Sequence, residues 1–238
     1  MKVQVSKDRL LKYALVFIAF WIIMLGTQAL GKQKLISNVQ LVSLQTIPLF
    51  VLCVTLFYKE LQEDWHALQV QVRLSKLLFR SLLLIVLVAV LRAGLLFLFQ
   101  PLLNVETLGE NQKNLFELQK QIPTLLYLFA SVIYAPFVEE IVFRVAILKW
   151  IPMQPKWLYA LFFWLSAGLF TWVHMFALQD ILLYLPIALV LCYRYTKYKQ
   201  NFWASYLLHL VNNTIAVGAG LLLPTDPSAL FEGLIKLF

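Results

Sequence analysis

The chain has 238 residues, 61% of them hydrophobic and 13% charged, with a mean hydropathy of +0.78, against the roughly half apolar content of ordinary soluble domains. That balance excludes a soluble globular domain and points to a polytopic membrane protein. The formal charge of +8 does not indicate nucleic acid as a partner, because the basic residues fall in short clusters between apolar runs rather than along one soluble face.

About 20 helical residues cross the roughly 30 Å of bilayer hydrocarbon, and runs of that kind recur along the chain. The first, near 11–30, follows Lys2, Lys7, Arg9 and Lys12 and exceeds the h-region of a signal peptide, so it reads as an uncleaved first span. Two more follow near 39–58 and 78–103, the latter with Arg92 in its middle. The next stretch, "NVETLGENQKNLFELQK", is the most polar connection, and its spaced Leu115, Phe116 and Leu118 suggest a short amphipathic helix on the membrane surface. Four further runs lie near 123–148, 157–177, 181–196 and 202–223, and the tail "SALFEGLIKLF" has an interfacial character of its own. The runs lack period-two alternation and are too long for barrel strands, which leaves helices as the spanning elements. The expected fold is all-α: a polytopic transmembrane helical bundle of about seven spans, with its core in the later helices. One membrane domain covers 1–238, divided into N-terminal spans and surface connection (1–122), a core (123–223) and a short tail (224–238).

With the N-terminus inside, the inner segments hold thirteen Lys and Arg and the outer segments five, the bias expected when the N-terminus is cytoplasmic. Cys53 and Cys192 sit in separate apolar runs without Cys-x-x-Cys spacing, so neither is expected to do chemistry.

"FVEEIVFR", residues 137–144, sets two glutamates and an arginine among apolar residues. A charge near the bilayer centre costs about 2.5–3.5 kcal/mol on insertion scales, so such groups face a protein interior or a wet cavity and have a task. Glu140 and Arg144 are four apart and share a helix face, which allows an ion pair. Glu139 is turned by about 100° from Glu140, so Arg144 cannot serve both carboxylates. Pro136, just upstream, is expected to kink or restart the helix and free backbone groups.

Two of the three histidines fall in later apolar runs, His174 in "FTWVH" and His209 in "HLVNN", while His66 reads as loop-borne and inert. His209 and Asn213 are four apart and share a face, so they can present two hydrogen-bond donors to one place. A carboxylate, a histidine and a donor pair suit hydrolysis of an amide: Glu139 and His174 would activate water while His209 and Asn213 stabilise the oxyanion. Zinc held by Glu139, His174 and His209 with an open fourth position uses the same residues. It ranks second, since no His-Glu-x-x-His spacing is present.

The ordered set "EEIVFR", "FTWVH" and "HLVNN" resembles the CAAX-prenyl endopeptidase and bacteriocin-processing (CPBP, or Abi) intramembrane proteases, from Ala135 to Asn213. Their pattern is Glu-Glu-x-x-x-Arg, Phe-x-x-x-His and His-x-x-x-Asn in separate transmembrane helices. The resemblance implies a catalytic Glu139 with His174 as its partner on the water, His209 and Asn213 at the oxyanion, Glu140 and Arg144 as braces, and Phe170 packed against them. It implies no obligatory cofactor, with zinc as the alternative. The implied substrate is a membrane-associated peptide or protein of bacteriocin, pheromone or CAAX-like kind, and the implied location is a bacterial cytoplasmic membrane. Val145 stands where many members carry glycine. The competing readings are a proton-coupled transporter, since buried carboxylates and histidines also form proton relays, and a non-catalytic immunity or regulatory partner. No repeated half supports a transporter.

At 1.5 Å per residue, Glu139 lies about 15 Å and His209 about 12 Å from the inner boundary, but His174, counted from Lys156, lies about 27 Å from it. For a single site, either the fifth run starts beyond that boundary and crosses at a tilt, or the run boundaries or the orientation differ from those read here.

Overall fold

The computed structural model describes residues 7–103 and 110–222. Among them are eight helices: α1 (Lys7–Lys32), α2 (Asn38–Gln71), α3 (Leu74–Leu103), α4 (Glu110–Gln121), α5 (Thr124–Leu148), α6 (Lys156–Val173), α7 (Asp180–Lys197) and α8 (Phe202–Leu222). The all-helical bundle expected from the apolar runs is the architecture found, and all seven runs are helices. Five of them, α1, α2, α3, α5 and α6, are long and apolar enough to cross a membrane. The other two carry polar groups within the helix: Asp180, Arg194 and Lys197 in α7, and His209, Asn212 and Asn213 in α8. The chain is an integral membrane protein.

α5 is the central element. It packs against α1, α2, α6 and α8, and 44% of its spanning window is buried, against 6% for α3. α3 lies on the outside against α7 and α8 and turns Phe79, Leu83, Val86, Leu87 and Val90 outward, as a lipid-facing helix does. α4 is the short amphipathic helix expected in the polar connection. Its half-buried Leu118 packs with Val42, Ile122 and Tyr127, and Asn38 donates to Gln121 beside them. The start of that connection (104–109), the Phe116 side chain and the tail 224–238 lie outside the described residues.

The apolar run of the second span stops near residue 58, yet α2 continues to Gln71. Phe57, Leu61 and Leu68 continue one buried face, and this periodicity carries the helix past the membrane-length run. His66 is therefore helical rather than loop-borne, and it is exposed.

The extension brings Asp64 to the end of the bundle where α1, α3, α6 and α8 begin and α2, α5 and α7 finish. Its carboxylate accepts from Lys149 Nζ at 2.6 and 2.8 Å and from the Phe202 amide at 3.0 Å. Asn201 Oδ1 accepts from the Ala204 amide, so the first amides of α8 are capped by two side chains. Lys12 pairs with Glu60 at the same end. The alternation inferred from the Lys and Arg count is thus reproduced in space, as one basic end.

Contacts along α6 account for the depth of His174. Ser166 Oγ donates to Phe143 O at 2.6 Å, placing residues 166 and 143 at one level. From there Glu139 is four residues away, about 6 Å of rise, and His174 eight, about 12 Å. At the other end Tyr159 OH meets Thr196 Oγ1, almost at the last turn of α7, so the first residues of α6 lie beyond the end of its neighbour. α6 thus begins beyond the last turn of α7, which brings the level of His174 toward that of Glu139.

Candidate active site

α5 is not a uniform helix. Phe129–Tyr134 and Glu140–Val145 are wide π turns flanking a short α segment, Ala135–Glu139. The register is visible in the bonds Ala135 N–H to Ala130 O and Ala146 N–H to Ile141 O, both spanning five residues. Wide turns of this sort concentrate at functional sites because they re-aim side chains. Here the second one starts between the two glutamates. The Glu140 side chain is fully buried, while that of Glu139 is 16% exposed.

Glu140 is the brace. Its Oε1 lies 3.2 Å from Arg144 Nη1 and 2.9 Å from His209 Nδ1, so the imidazole donates to a carboxylate already paired with the arginine. Arg144 is fully buried with its guanidinium 4.4 Å from the centre of the Phe170 ring, and Nη2 reaches the Ala188 carbonyl at 3.5 Å. Arg144 serves Glu140 and not Glu139, as the difference in helix face dictates.

Glu139 is the carboxylate left over, and both buried-run histidines face it. His174 Nε2 lies 3.7 Å from Oε1, and His209 Nε2 lies 3.6 Å from Oε2. Each imidazole spends its other nitrogen elsewhere: His174 Nδ1 donates to Phe170 O at 2.7 Å and His209 Nδ1 to Glu140. These bonds fix both rings so that Nε2 is the atom presented to Glu139. Separations of 3.6–3.7 Å are too long for direct hydrogen bonds and suit groups that share a bridging water.

His174 immediately follows the last residue of α6. Phe170, one turn earlier, lies against its ring with centroids 4.5 Å apart, and Tyr184 stacks on it at 4.9 Å and 22°. Asp180, fully buried, accepts from the Phe176 and Ala177 amides and so ties down the turn that leaves His174. Asn213 does not join the Glu139 cluster by any of these contacts. Its Nδ2 donates to Ser131 O at 3.0 Å, and its Oδ1 accepts from Asn212.

Of the residues singled out from sequence, Glu139, Glu140, Arg144, Phe170, His174 and His209 are brought together from α5, α6 and α8, and Asn213 is one helical turn from His209. Tyr184, Asp180, Ser131 and the Ala188 carbonyl were not anticipated. Asp180 three residues after the end of the fifth run offered a capping signal; Tyr184 carried none, since one aromatic among many in an apolar run has no distinguishing pattern. Cys53 and Cys192 are free and buried, and Cys192 Sγ shares a hydrogen bond of 3.3 Å with Ser166 Oγ. Among the described residues no group of three or more His, Cys, Asp and Glu side chains is arranged to hold a metal ion. A surface depression of about 330 Å³ lined by Gln154, Tyr159, Phe163 and Thr196 lies at the basic end, apart from this cluster.

Residues 121–215 match the family model of Rce1-like proteins, the type II CAAX prenyl endopeptidases. No curated protein and no solved structure matches the chain. The matched segment runs from the end of α4 into α8 and contains every residue of the cluster, in agreement with the family resemblance carried by the three motifs. Over that segment the chain is similar to the CAAX-type intramembrane proteases.

Proposed function

We propose that this Rce1-like protein is a glutamate-type intramembrane endopeptidase that hydrolyses a peptide bond of a membrane-associated peptide or protein of CAAX-like, pheromone or bacteriocin kind. The observation that carries the reading is the approach of His174 and His209 to the two oxygens of one carboxylate, Glu139, from separate helices.

With its Nδ1 proton committed to Phe170 O, neutral His174 offers a lone pair at Nε2. Glu139 and His174 are then two acceptors for the two protons of one water, which turns the water oxygen outward toward substrate. Glu139 takes a proton as the water oxygen bonds to the carbonyl carbon. The resulting oxyanion is stabilised by His209, which in its protonated form offers Nε2–H while Nδ1–H stays on Glu140, with the second amide N–H of Asn213 as a further donor. Collapse breaks the C–N bond, and the proton held by Glu139 passes to the leaving nitrogen. Glu140 and Arg144 touch no reacting atom; they orient His209. No step here is routed through zinc; zinc held by Glu139, His174 and His209 is the alternative that chelation separates.

Membrane and secreted peptides from cells carrying the wild type or Glu139→Ala test the reading: a processed peptide present with the wild type should be lost in the variant, and equally in His174→Ala and His209→Ala. Unchanged peptides in all three folded variants would overturn the protease reading in favour of a non-catalytic membrane partner. Activity of purified enzyme should persist after prolonged chelation, and a loss restored by added zinc would replace the glutamate mechanism with the metal one.

A further inference from the structure

Pro136 has no amide hydrogen, and the wide turn before it determines which carbonyl is left without a donor. In the five-residue register shown by Ala135 N–H to Ala130 O, the next bond of the series would run from residue 136 to Ser131 O. That bond cannot form. The carbonyl sits inside a membrane-spanning helix, where an unsatisfied backbone group is costly and a neighbouring side chain must supply the missing donor. Asn213 Nδ2, on α8, donates to this oxygen at 3.0 Å.

We infer that Asn213 is a positioning residue: its amide replaces the hydrogen bond that Pro136 deletes from α5, and so fixes α8 to α5 at the height where His209 must meet the two glutamates. Asn213 and His209 are one turn apart on α8, and Ser131 lies two turns before Glu139 on α5. One clip between the helices therefore sets the register between His209 and the Glu139–Glu140 pair. Asn212 donates to Asn213 Oδ1 at 3.1 Å, which orients the amide with its nitrogen toward Ser131. The clip stands on geometry alone and rests on the protease reading only where activity is measured.

The test is a double-substitution cycle on the full chain in detergent, read by the thermal unfolding midpoint. Asn213→Ala should lower the midpoint by several degrees. Pro136→Ala restores an amide hydrogen for Ser131 O, so adding Asn213→Ala to it should shift the midpoint little further. Full additivity of the two shifts would overturn the inference. If Pro136→Ala does not fold, Asn213→Asp decides, since it keeps the shape but loses the donor: a midpoint lowered as in Asn213→Ala supports the clip, and a wild-type midpoint refutes it. An asparagine that served the oxyanion alone would change kcat without this stability coupling. Where processing is measurable, Pro136→Ala should lower kcat with KM little changed. Loss of processing in every variant alongside an additive midpoint cycle refutes the clip while leaving the protease reading intact.

Discussion

Glu140 carries two obligations on one oxygen, the ion pair with Arg144 and the bond from His209 Nδ1. Removing one member of a buried pair strands the other charge, a loss of about 3–5 kcal/mol. Arg144→Ala should therefore destabilise the protein by about that amount, measured as the unfolding midpoint in detergent. Replacing both residues, Glu140→Gln with Arg144→Met, should recover most of the stability because no lone charge remains. It should not recover activity, because His209 then lacks the carboxylate that accepts its Nδ1–H and orients the ring. Recovery of turnover by the double variant would show that the brace has no part in the chemistry.

At the scale of elements, the site depends on how α2, α5 and α8 are pinned at the basic end. Asp64 neutralises Lys149 and caps the first turn of α8. Asp64→Ala should cost about 1–2 kcal/mol for the cap alone, seen as a lower unfolding midpoint, and should raise hydrogen exchange first in the opening turn of α8. How much of this was legible in the sequence follows from range. Glu140 with Arg144, and His209 with Asn213, are spaced four apart within one helix, and that local periodicity identified them. The break in α5 was half legible, since Pro136 announced a lost donor but not the two wide turns. The level at which α6 starts, the stacking of Tyr184 on His174 and the destination of the Asn213 amide arise from packing between helices distant along the chain. No spacing within one segment encodes them.

Across the whole molecule, charge and lipid contact divide the bundle. α3 turns an apolar face outward, while the ends of α2, α5 and α7 and the starts of α1, α3, α6 and α8 gather at one basic end. The Lys and Arg bias predicts that this end faces the cytoplasm. A single cysteine placed at Lys156, at the start of α6, should then react with an impermeant thiol reagent only after the inner face is opened. One placed at Lys34, between α1 and α2, should react in intact cells; the reverse pattern would invert the bundle. The cluster would lie about 12–15 Å from that end by residue count, within reach of water yet below the surface.

The ring of Phe170 underlies the guanidinium of Arg144, the imidazole of His174 at its face and that of His209 at its edge. One aromatic side chain is thus a common floor for groups from three helices. If it is trimmed to leucine, all three lose support together, so the penalty should overlap with, rather than add to, that of altering any one of them. Selection acting on any of these polar residues is therefore also selection on the size and tilt of a side chain that has no polar atom.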